Sequence, residues 1–378
     1  MKRVLAFLLV IIMVFSLVTG CGSKKETGPI RIGVIAPLSG GGTSYGINIK
    51  YGAQMAIDEI NKDGGINGRK LEMVIVDDAT NPSEAVTAMQ KLVDQEKVDV
   101  VVGGWGSSQV LASIPVNEKA EVPYIVVGGT NAAIANVDNE WTFQVIKADD
   151  LQAASLGDAA VDNMGLKRIA VIYDTNDYGT GVKDGVVNRL KELGVTPVAI
   201  ESYNSADTEF TAQLTKIAAA NPDGIALCGT IPAAPAIMIQ ARQLGIDATF
   251  FGTGGLANDQ LFILGGEAAE GTVLCTYYHK DTTTDATAFA ENVAKVFAQE
   301  KEVAQPLLMA WTYRSITQIL RPCLEKAGTD KVALRDAIQN WKGEVMGFEG
   351  ELYFGERHNL VQPTVLMTVK DGAWSLYK

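Results

Sequence analysis

The sequence predicts an α/β fold built from two doubly wound, Rossmann-like lobes that are joined by several crossings of the chain. Short apolar runs alternate with segments of helical spacing from residue 30 to about residue 146, and the same alternation restarts near residue 151. A block of helices and a β-rich tail follow these two complete α/β units. These additional helices and strands indicate that the chain returns to each lobe, and that a cleft lies between the two lobes.

The first twenty residues are typical of a secretory signal rather than of the fold. Two basic residues precede the uncharged apolar segment 4–18, which is short for a membrane span. The sequence VTGC that ends at Cys21 resembles a bacterial lipobox, in which the cysteine is lipidated and becomes the new N-terminus. We therefore expect a signal peptide (1–20), a polar tether (21–28) and an extracytoplasmic protein anchored to the cell membrane by lipid on Cys21. The alternative is an ordinary signal cleavage site beside a free cysteine.

The two halves of the chain follow a similar plan of strands and helices. In the first half, the apolar runs predict strands at 30–36, 71–77, 98–102 and 124–127, and helical spacing predicts helices at 47–61, 82–96 and 107–120. In the second half, strands are expected at 168–173, 195–200, 224–228 and 249–251, with helices at 151–164, 182–193, 210–220 and 232–244. We expect lobe 1 to comprise 29–147 and 277–346, and lobe 2 to comprise 148–276 and 347–378.

The stretch 98–130 contains the most informative pattern. Its two buried strands each end in glycines and hydroxyl residues, and Trp105 and Ser107 follow the first strand. In an open parallel sheet, ligands bind just beyond the carboxyl ends of the strands. A helix that starts at Ser107 would direct free N–H groups and the positive end of its dipole to that place, which suits a carboxylate. Turn and cap chemistry alone is the alternative explanation.

Composition and charge exclude several classes of partner. The formal net charge of −12 argues against nucleic acid or anionic lipid surfaces. The chain has two histidines and no Cys/His cluster, so we expect no metal site and no cofactor. Beyond Cys21, three cysteines lie in apolar contexts that suit buried thiols, with a Cys228–Cys275 disulfide as the alternative.

An enzyme hypothesis comes from the sequence GTSYG, which fits the G-x-S-x-G nucleophile elbow of α/β-hydrolases. Ser44 would be the nucleophile, with His279 or His358 as the base and Asp259 as the acid. Against this hypothesis, the elbow would follow the first strand, and no earlier strand could build the oxyanion loop. A dinucleotide-binding loop is not supported, because Tyr45 stands where the fingerprint needs its third glycine.

An ordered series of motifs resembles the leucine/isoleucine/valine-binding branch of the type I periplasmic binding proteins, the solute-binding components of ABC importers. The motifs that carry the resemblance are IGVIAPLSGGGTSYG, GAQMAIDEIN, GGINGRKLE, DDATNP, VVGGWGSS, VPYIVVGGTN, DYGTG, PDGI and GEAAEG. They occur in family order from residue 30 to about residue 377. The resemblance implies two lobes that close on a small molecule by hinge motion, and delivery to an ABC permease with its ATPase. A ligand receptor without a transport role is an alternative on the same fold.

The resemblance also implies roles for individual residues. Ser107 and Thr130 match the hydroxyls that hold the ligand carboxylate. Gly128 matches a backbone carbonyl that accepts from the ligand ammonium, and Gly129 matches a backbone donor. Tyr45 matches an aromatic of the first lobe that covers the ligand, and Tyr178 matches a tyrosine of the second lobe that reaches across the cleft. Trp105 offers an apolar wall.

The sequence departs from the family pattern where the ligand amine would be paired. Gly254 stands in place of the acid of the second lobe, and Thr230 stands in place of a nearby tyrosine. A buried ammonium without a carboxylate is costly, so another acid is required for an amino acid ligand. Asp149, Asp174 and Asp177 are candidates, with capping and loop solvation as the alternative. A ligand without an amine, such as an aromatic or aliphatic carboxylate, is the second hypothesis.

Overall fold

The computed structural model describes residues 28–136, 138–301 and 303–377, and its first sheet contains five parallel strands in the order β2-β1-β3-β4-β5. Strands β3 and β4 are fully buried apolar runs, as expected where helices cover both faces of a parallel sheet. Asn81 caps the second helix by accepting from the backbone N–H groups of Ser83 and Glu84. The elements are β1 Ile30–Ala36, α1 Thr43–Lys62, β2 Leu71–Asp77, α2 Pro82–Gln90, β3 Val100–Gly103, α3 Ser107–Ala120, β4 Tyr124–Val126 and β5 Thr142–Gln144.

The second sheet contains seven strands in the order β15-β14-β10-β9-β8-β6-β7. Strands β10, β9, β8, β6 and β7 are parallel to one another. Strands β14 and β15 come from the C-terminal end of the chain and pair antiparallel. The elements are α4 Asp149–Asp158, β6 Ile169–Asp174, α5 Asp177–Glu192, β7 Ala199–Tyr203, α6 Thr211–Ala219, β8 Gly224–Cys228, α7 Ala233–Gln243, β9 Thr249–Gly252, α8 Gln260–Gly265, β10 Val273–Thr276, β14 Val365–Lys370 and β15 Ala373–Leu376.

Between β10 and β14 the chain returns to the first lobe. Helix α10 packs against α1 at Gly52, where a side chain would collide with the carbonyl of Met309. A small antiparallel sheet, β11-β12-β13, follows these helices. The elements are α9 Thr284–Val296, α10 Pro306–Arg314, α11 Arg321–Ala327, α12 Lys331–Gln339, β11 Lys342–Gly343, β12 Leu352–Phe354 and β13 Leu360–Val361.

This architecture confirms the predicted fold class of two α/β lobes with a returning chain. The exact lobe boundaries stay a prediction. The small sheet lies beside β5, where Gln144 pairs with Asn359 and the rings of Phe143 and Phe354 lie 5.6 Å apart. These contacts favour a return to the second lobe after Val361 rather than at residue 347. The predicted signal peptide, the tether and Cys21 lie outside the described residues.

Several local features can be compared with the bounds and alternatives expected from the sequence. Helix α1 begins at Thr43 rather than at residue 47, because Gly46 has no side chain to collide with the backbone of Pro37. Cys228 and Cys275 are free buried thiols and form no disulfide. Within the described part of the chain, no helix is both long and apolar enough to cross a membrane, and no cluster of three potential metal ligands occurs.

Candidate ligand-binding site

A cavity of about 290 Å³ lies between the two lobes, beyond the carboxyl ends of strands from both sheets. The residues that line it follow or end β3, β4, β6, β7, β8, β9 and β10. This is the place where open parallel sheets bind ligands. The lining residues include Trp105, Gly106, Ser107, Ser108, Gln109, Gly128 and Thr130 from the first lobe, Asp174, Asn176, Tyr178, Ser205, Thr230, Gly254, Gly255 and Tyr277 from the second lobe, and Trp311 from α10.

The first-lobe wall consists of two glycine loops packed backbone to backbone. Gly104 has a positive φ of 72°, which favours glycine, and its carbonyl accepts from the N–H groups of Gly128 (3.0 Å) and Gly129 (3.1 Å). A Cβ on Gly128 would lie only 2.6 Å from the Cα of Trp105. Only glycine therefore allows the β4 loop to approach the β3 loop this closely.

Ser107 connects these loops at the start of α3. Its buried Oγ accepts from the backbone N–H groups of Thr130 (3.2 Å) and Asn131 (3.1 Å), so its own hydroxyl proton can be donated elsewhere. No side chain caps this end of α3, and the residues of its first turn line the cavity. Free helical N–H groups, the helix dipole and a hydroxyl together favour an anion at this end of the cavity.

Asp149 is a buried carboxyl group directly behind the first-lobe wall. Its backbone N–H donates to the carbonyl of Thr130 (2.8 Å). Neither of its carboxyl oxygens nor the Thr130 hydroxyl has a well-aligned hydrogen-bond partner among the described residues. Burial raises the pKa of Asp149 to about 8, which the nearby Thr130 hydroxyl partly offsets and the charge of Asp150 reinforces. Unlike Thr130, Asp149 is not among the residues that line the cavity, so its carboxyl is a buried potential counter-charge directly behind the wall.

The other two candidate acids are already satisfied or exposed. Asp174 lines the cavity and accepts from the Ser205 hydroxyl (2.7 and 2.8 Å) and from the backbone of Asn176 (3.1 Å). Burial nevertheless raises the pKa of Asp174. Asp177 is exposed to solvent. Of the three acids, Asp149 is thus the one that is both buried and without a well-aligned partner.

The second-lobe tyrosine lies at the cavity, as the sequence predicts. Tyr178 lines it, and its hydroxyl bonds to the hydroxyl of Thr253 (2.7 Å) and accepts from the backbone N–H of Gly255 (3.0 Å). Thr230 and Gly254 also line the cavity. The structure therefore brings these three predicted residues into one wall.

Tyr45 and Gly129 do not line the cavity. Tyr45 lies behind Trp105, with the two rings stacked at 4.3 Å, and its hydroxyl donates across the cleft to the carbonyl of Gly255 (2.7 Å). The N–H of Gly129 donates to Gly104, and its carbonyl accepts from the side chain of Gln144 (2.8 Å). The expected donor role of Gly129 does not fit this arrangement, because both of its backbone groups are used within the lobe.

Two aromatic residues of the cavity were not predicted. Tyr277 directly follows β10 and Trp311 lies in α10, with their rings edge to face at 5.9 Å. The Tyr277 hydroxyl and the Trp311 indole N–H are buried without a hydrogen-bond partner among the described residues. The position of Tyr277 after a buried strand is the signal that could have found it. Trp311 has no comparable signal, since it lies within an apolar helix.

The catalytic triad of the enzyme hypothesis is not assembled. Ser44 Oγ accepts from the side chain of Asn258 (2.9 Å). The polar contacts of His279 are with backbone groups and Asp281, and the Nδ1 atom of His358 lies 2.9 Å from the carbonyl oxygen of Asn139. The carboxyl of Asp259 accepts from an indole N–H in β15 (2.8 Å). Within the described part of the chain, neither histidine bonds to Ser44.

Known proteins share this fold and sequence pattern. The family model for periplasmic binding proteins matches residues 29–373. An amino acid binding protein of Pseudomonas aeruginosa is 34% identical over 244 residues, 65% of each chain. A leucine-, isoleucine-, valine-, threonine- and alanine-binding protein of the same species is 30% identical over 88% of this chain and 87% of the relative.

A solved structure agrees over the full fold. The branched-chain amino acid transporter substrate-binding protein LivJ from Streptococcus pneumoniae, in complex with isoleucine, has a TM-score of 0.82 and 26% identity, and the match covers 92% of this chain and 99% of LivJ. The resemblance to the leucine/isoleucine/valine-binding branch is therefore confirmed. The chain belongs to the periplasmic binding protein family, whose members bind solutes outside the cytoplasm.

Proposed function

We propose that the chain is the lipid-anchored solute-binding component of an ABC importer and captures an α-amino acid, with branched-chain amino acids as the leading candidates. The observation that carries the proposal is Asp149, a buried carboxyl group without a well-aligned partner beside an anion-binding helix terminus. An α-amino acid places a positive and a negative group on one carbon atom. Neighbouring sites for each charge match that chemistry. The names of the relatives in the comparison agree with it.

In this proposal the ligand carboxylate docks on the N-terminus of α3 and on the hydroxyls of Ser107 and Thr130. The ammonium group lies against the carbonyl of Gly128, with Asp149 behind the wall as its counter-charge. Trp105 offers an apolar face for an aliphatic side chain. The carboxylate gains charge-assisted hydrogen bonds, and the ammonium gains a counter-charge that offsets its desolvation.

Closure of the lobes completes the site. Bonds across the cleft include Tyr45 to Gly255 and the side chain of Asn131 to the carbonyl of Asp177 (2.8 Å). Such contacts stabilise a closed form that excludes water from the ligand. We infer that this closed form docks on the permease, with its ATPase on the cytoplasmic side, while the lipid on Cys21 keeps the protein at the membrane.

A ligand without an amine is the second candidate, and a specific observation favours it. Because the pKa of Asp149 is raised to about 8, this carboxyl is mostly neutral in the unliganded protein at pH 7. A neutral acid tolerates an aromatic or aliphatic carboxylate that brings no positive charge. The absence of an acid at Gly254 is consistent with the same candidate.

Calorimetry with L-isoleucine and with 3-methylpentanoate, which has the same carbon skeleton without the amine, separates the two candidates. For an amino acid site, Asp149→Asn should weaken isoleucine binding about 100-fold or more, because breaking a buried ion pair costs about 3–5 kcal/mol. The matched control is Asp150→Asn, which removes the neighbouring exposed acid from its ion pair with Arg357 (3.0 Å). That variant should bind like the unaltered protein. Tight binding of 3-methylpentanoate that Asp149→Asn leaves unchanged would favour the amine-free candidate instead.

A further inference from the structure

Tyr277 occupies the space that a side chain at Gly254 would need. An ideal Cβ on Gly254 would lie 3.0 Å from Cε2 of Tyr277 and 3.3 Å from its hydroxyl oxygen. An acid at position 254 would therefore crowd the phenol ring, which would have to shift by a few tenths of an ångström. The glycine and the tyrosine thus form one unit of the second-lobe wall, in which the ring replaces the missing side chain.

The hydroxyl of Tyr277 has no hydrogen-bond partner within the described part of the chain, although Tyr277 is only 1% exposed. The hydroxyls of Tyr45 and Tyr178, which also lie at the cleft, are both bonded. A buried phenol left unpaired is costly, and most buried polar groups have a partner. Among the described residues the hydroxyls of Tyr124 and Tyr203 are also unpaired, but of these three tyrosines Tyr277 is the one that lines the cavity, so a ligand can reach its hydroxyl.

The position of this phenol is fixed by its surroundings. The carbonyl of Tyr277 accepts from the buried guanidinium of Arg314 (2.9 Å), and its ring packs edge to face on Trp311. Burial raises the pKa of Tyr277 well above its ordinary value. The hydroxyl therefore stays neutral, and its oxygen can accept from an N–H donor.

We propose that the Tyr277 hydroxyl is the second-lobe hydrogen-bond partner of the ligand amine, in place of an acid at position 254, while Asp149 supplies the negative charge from the other side. This inference rests on the proposed function, because it requires a ligand that carries an amine. It assigns recognition of the amine to a neutral phenol on one lobe and to a carboxyl at the crossing between lobes.

A double-mutant cycle with L-isoleucine as the probe tests this assignment. Tyr277→Phe should weaken binding about 10-fold or more in the unaltered protein, since it removes a hydrogen bond to a charged group. In the Asp149→Asn background the same change should cost less than about 3-fold, because two residues that contact one ammonium group are coupled. The thermal midpoint of unliganded Tyr277→Phe should not fall, since its hydroxyl has no protein partner to lose.

The matched control is Tyr278→Phe, whose buried hydroxyl instead donates to the carbonyl of Ala286 (2.8 Å). This change should lower stability and leave affinity for isoleucine unaltered. An equal loss of isoleucine affinity for Tyr277→Phe in both backgrounds, or no loss of affinity in either, would overturn the role of Tyr277. The effect of Asp149→Asn alone would then still support the proposed function. If the unaltered protein binds no isoleucine, the proposed function and this inference fall together.

Discussion

The two walls of the cavity are built in different ways. The first-lobe wall consists mainly of backbone groups and small hydroxyl residues beside the ring of Trp105, and hydrogen bonds between the β3 and β4 loops hold it together. The second-lobe wall consists of side chains from four separate strand ends, with Tyr178 and Tyr277 as its largest members. One wall therefore presents fixed dipoles, and the other presents aromatic surface and single polar atoms.

This difference indicates a division of roles. Backbone N–H groups at a helix terminus recognise any carboxylate, and changing them requires changing the fold of the loop. Side chains at strand ends can change without refolding a loop, and the pair of Gly254 and Tyr277 shows how two such positions compensate for each other. We infer that the first wall binds the group common to many ligands and that the second wall selects among them. The predictions below test this division.

The largest effect is expected from Ser107→Ala combined with Thr130→Ala. Each charge-assisted hydrogen bond to a carboxylate is worth about 1.5–3 kcal/mol, so the double variant should lose at least about 100-fold in affinity. Because both hydroxyls contact the carboxylate and not the amine, the loss should be similar for isoleucine and for any amine-free acid that binds. Calorimetry with both ligands measures it.

The control for this variant is Ser113→Ala, on the same helix. Ser113 is buried and its hydroxyl donates to the carbonyl of Val110 (2.9 Å), away from the cavity. This control should keep its affinity. Full binding by the double variant would contradict the assignment of the first wall as the carboxylate site.

The next largest effect is expected from pH. The pKa of Asp149 is about 8 in the empty site, and a bound ammonium must lower it, so binding releases a proton below pH 8. The affinity for isoleucine should therefore rise roughly 50-fold from pH 6 to pH 8 and level off above that. Calorimetry in buffers of different ionisation enthalpy measures the proton count. The Asp149→Asn variant should show neither the rise in affinity nor the release of a proton. An affinity of the unaltered protein that does not change with pH would argue for a ligand without an amine.

The sequence was a good guide to the first wall because its signals are local. Glycines, hydroxyls and a helix start occur within residues 98–130, and the strands they follow are continuous apolar runs. Local chemistry of this kind determines local geometry. The predicted places of Ser107, Gly128 and Thr130 at the cavity agree with the structure, and only Gly129 differs.

The second wall could not be predicted in the same way, because its members meet only in the folded protein. Tyr277 follows a strand but lies where the chain crosses between lobes, and Trp311 comes from a helix of the returning segment. The contact of Tyr277 with Gly254 depends on the register of β9 and β10. A single sequence also did not decide among Asp149, Asp174 and Asp177, since their burial and partners are tertiary properties.

The smallest effect is expected from Tyr45→Phe, which tests whether closure couples the two walls. The Tyr45 hydroxyl donates to the carbonyl of Gly255 on the other lobe (2.7 Å), and a net hydrogen bond contributes about 0.5–1.5 kcal/mol. Loss of this hydrogen bond should destabilise the closed form. It should lower the affinity for every ligand by about 2- to 10-fold, whether or not the ligand carries an amine. Small-angle scattering should show fewer closed molecules at a limiting ligand concentration.

Tyr51→Phe is the control, because Tyr51 lies on the same helix and stacks on Phe297 at 4.6 Å. Equal affinity of Tyr45→Phe and the unaltered protein would mean that the contact across the cleft contributes nothing to closure, and that the walls act independently.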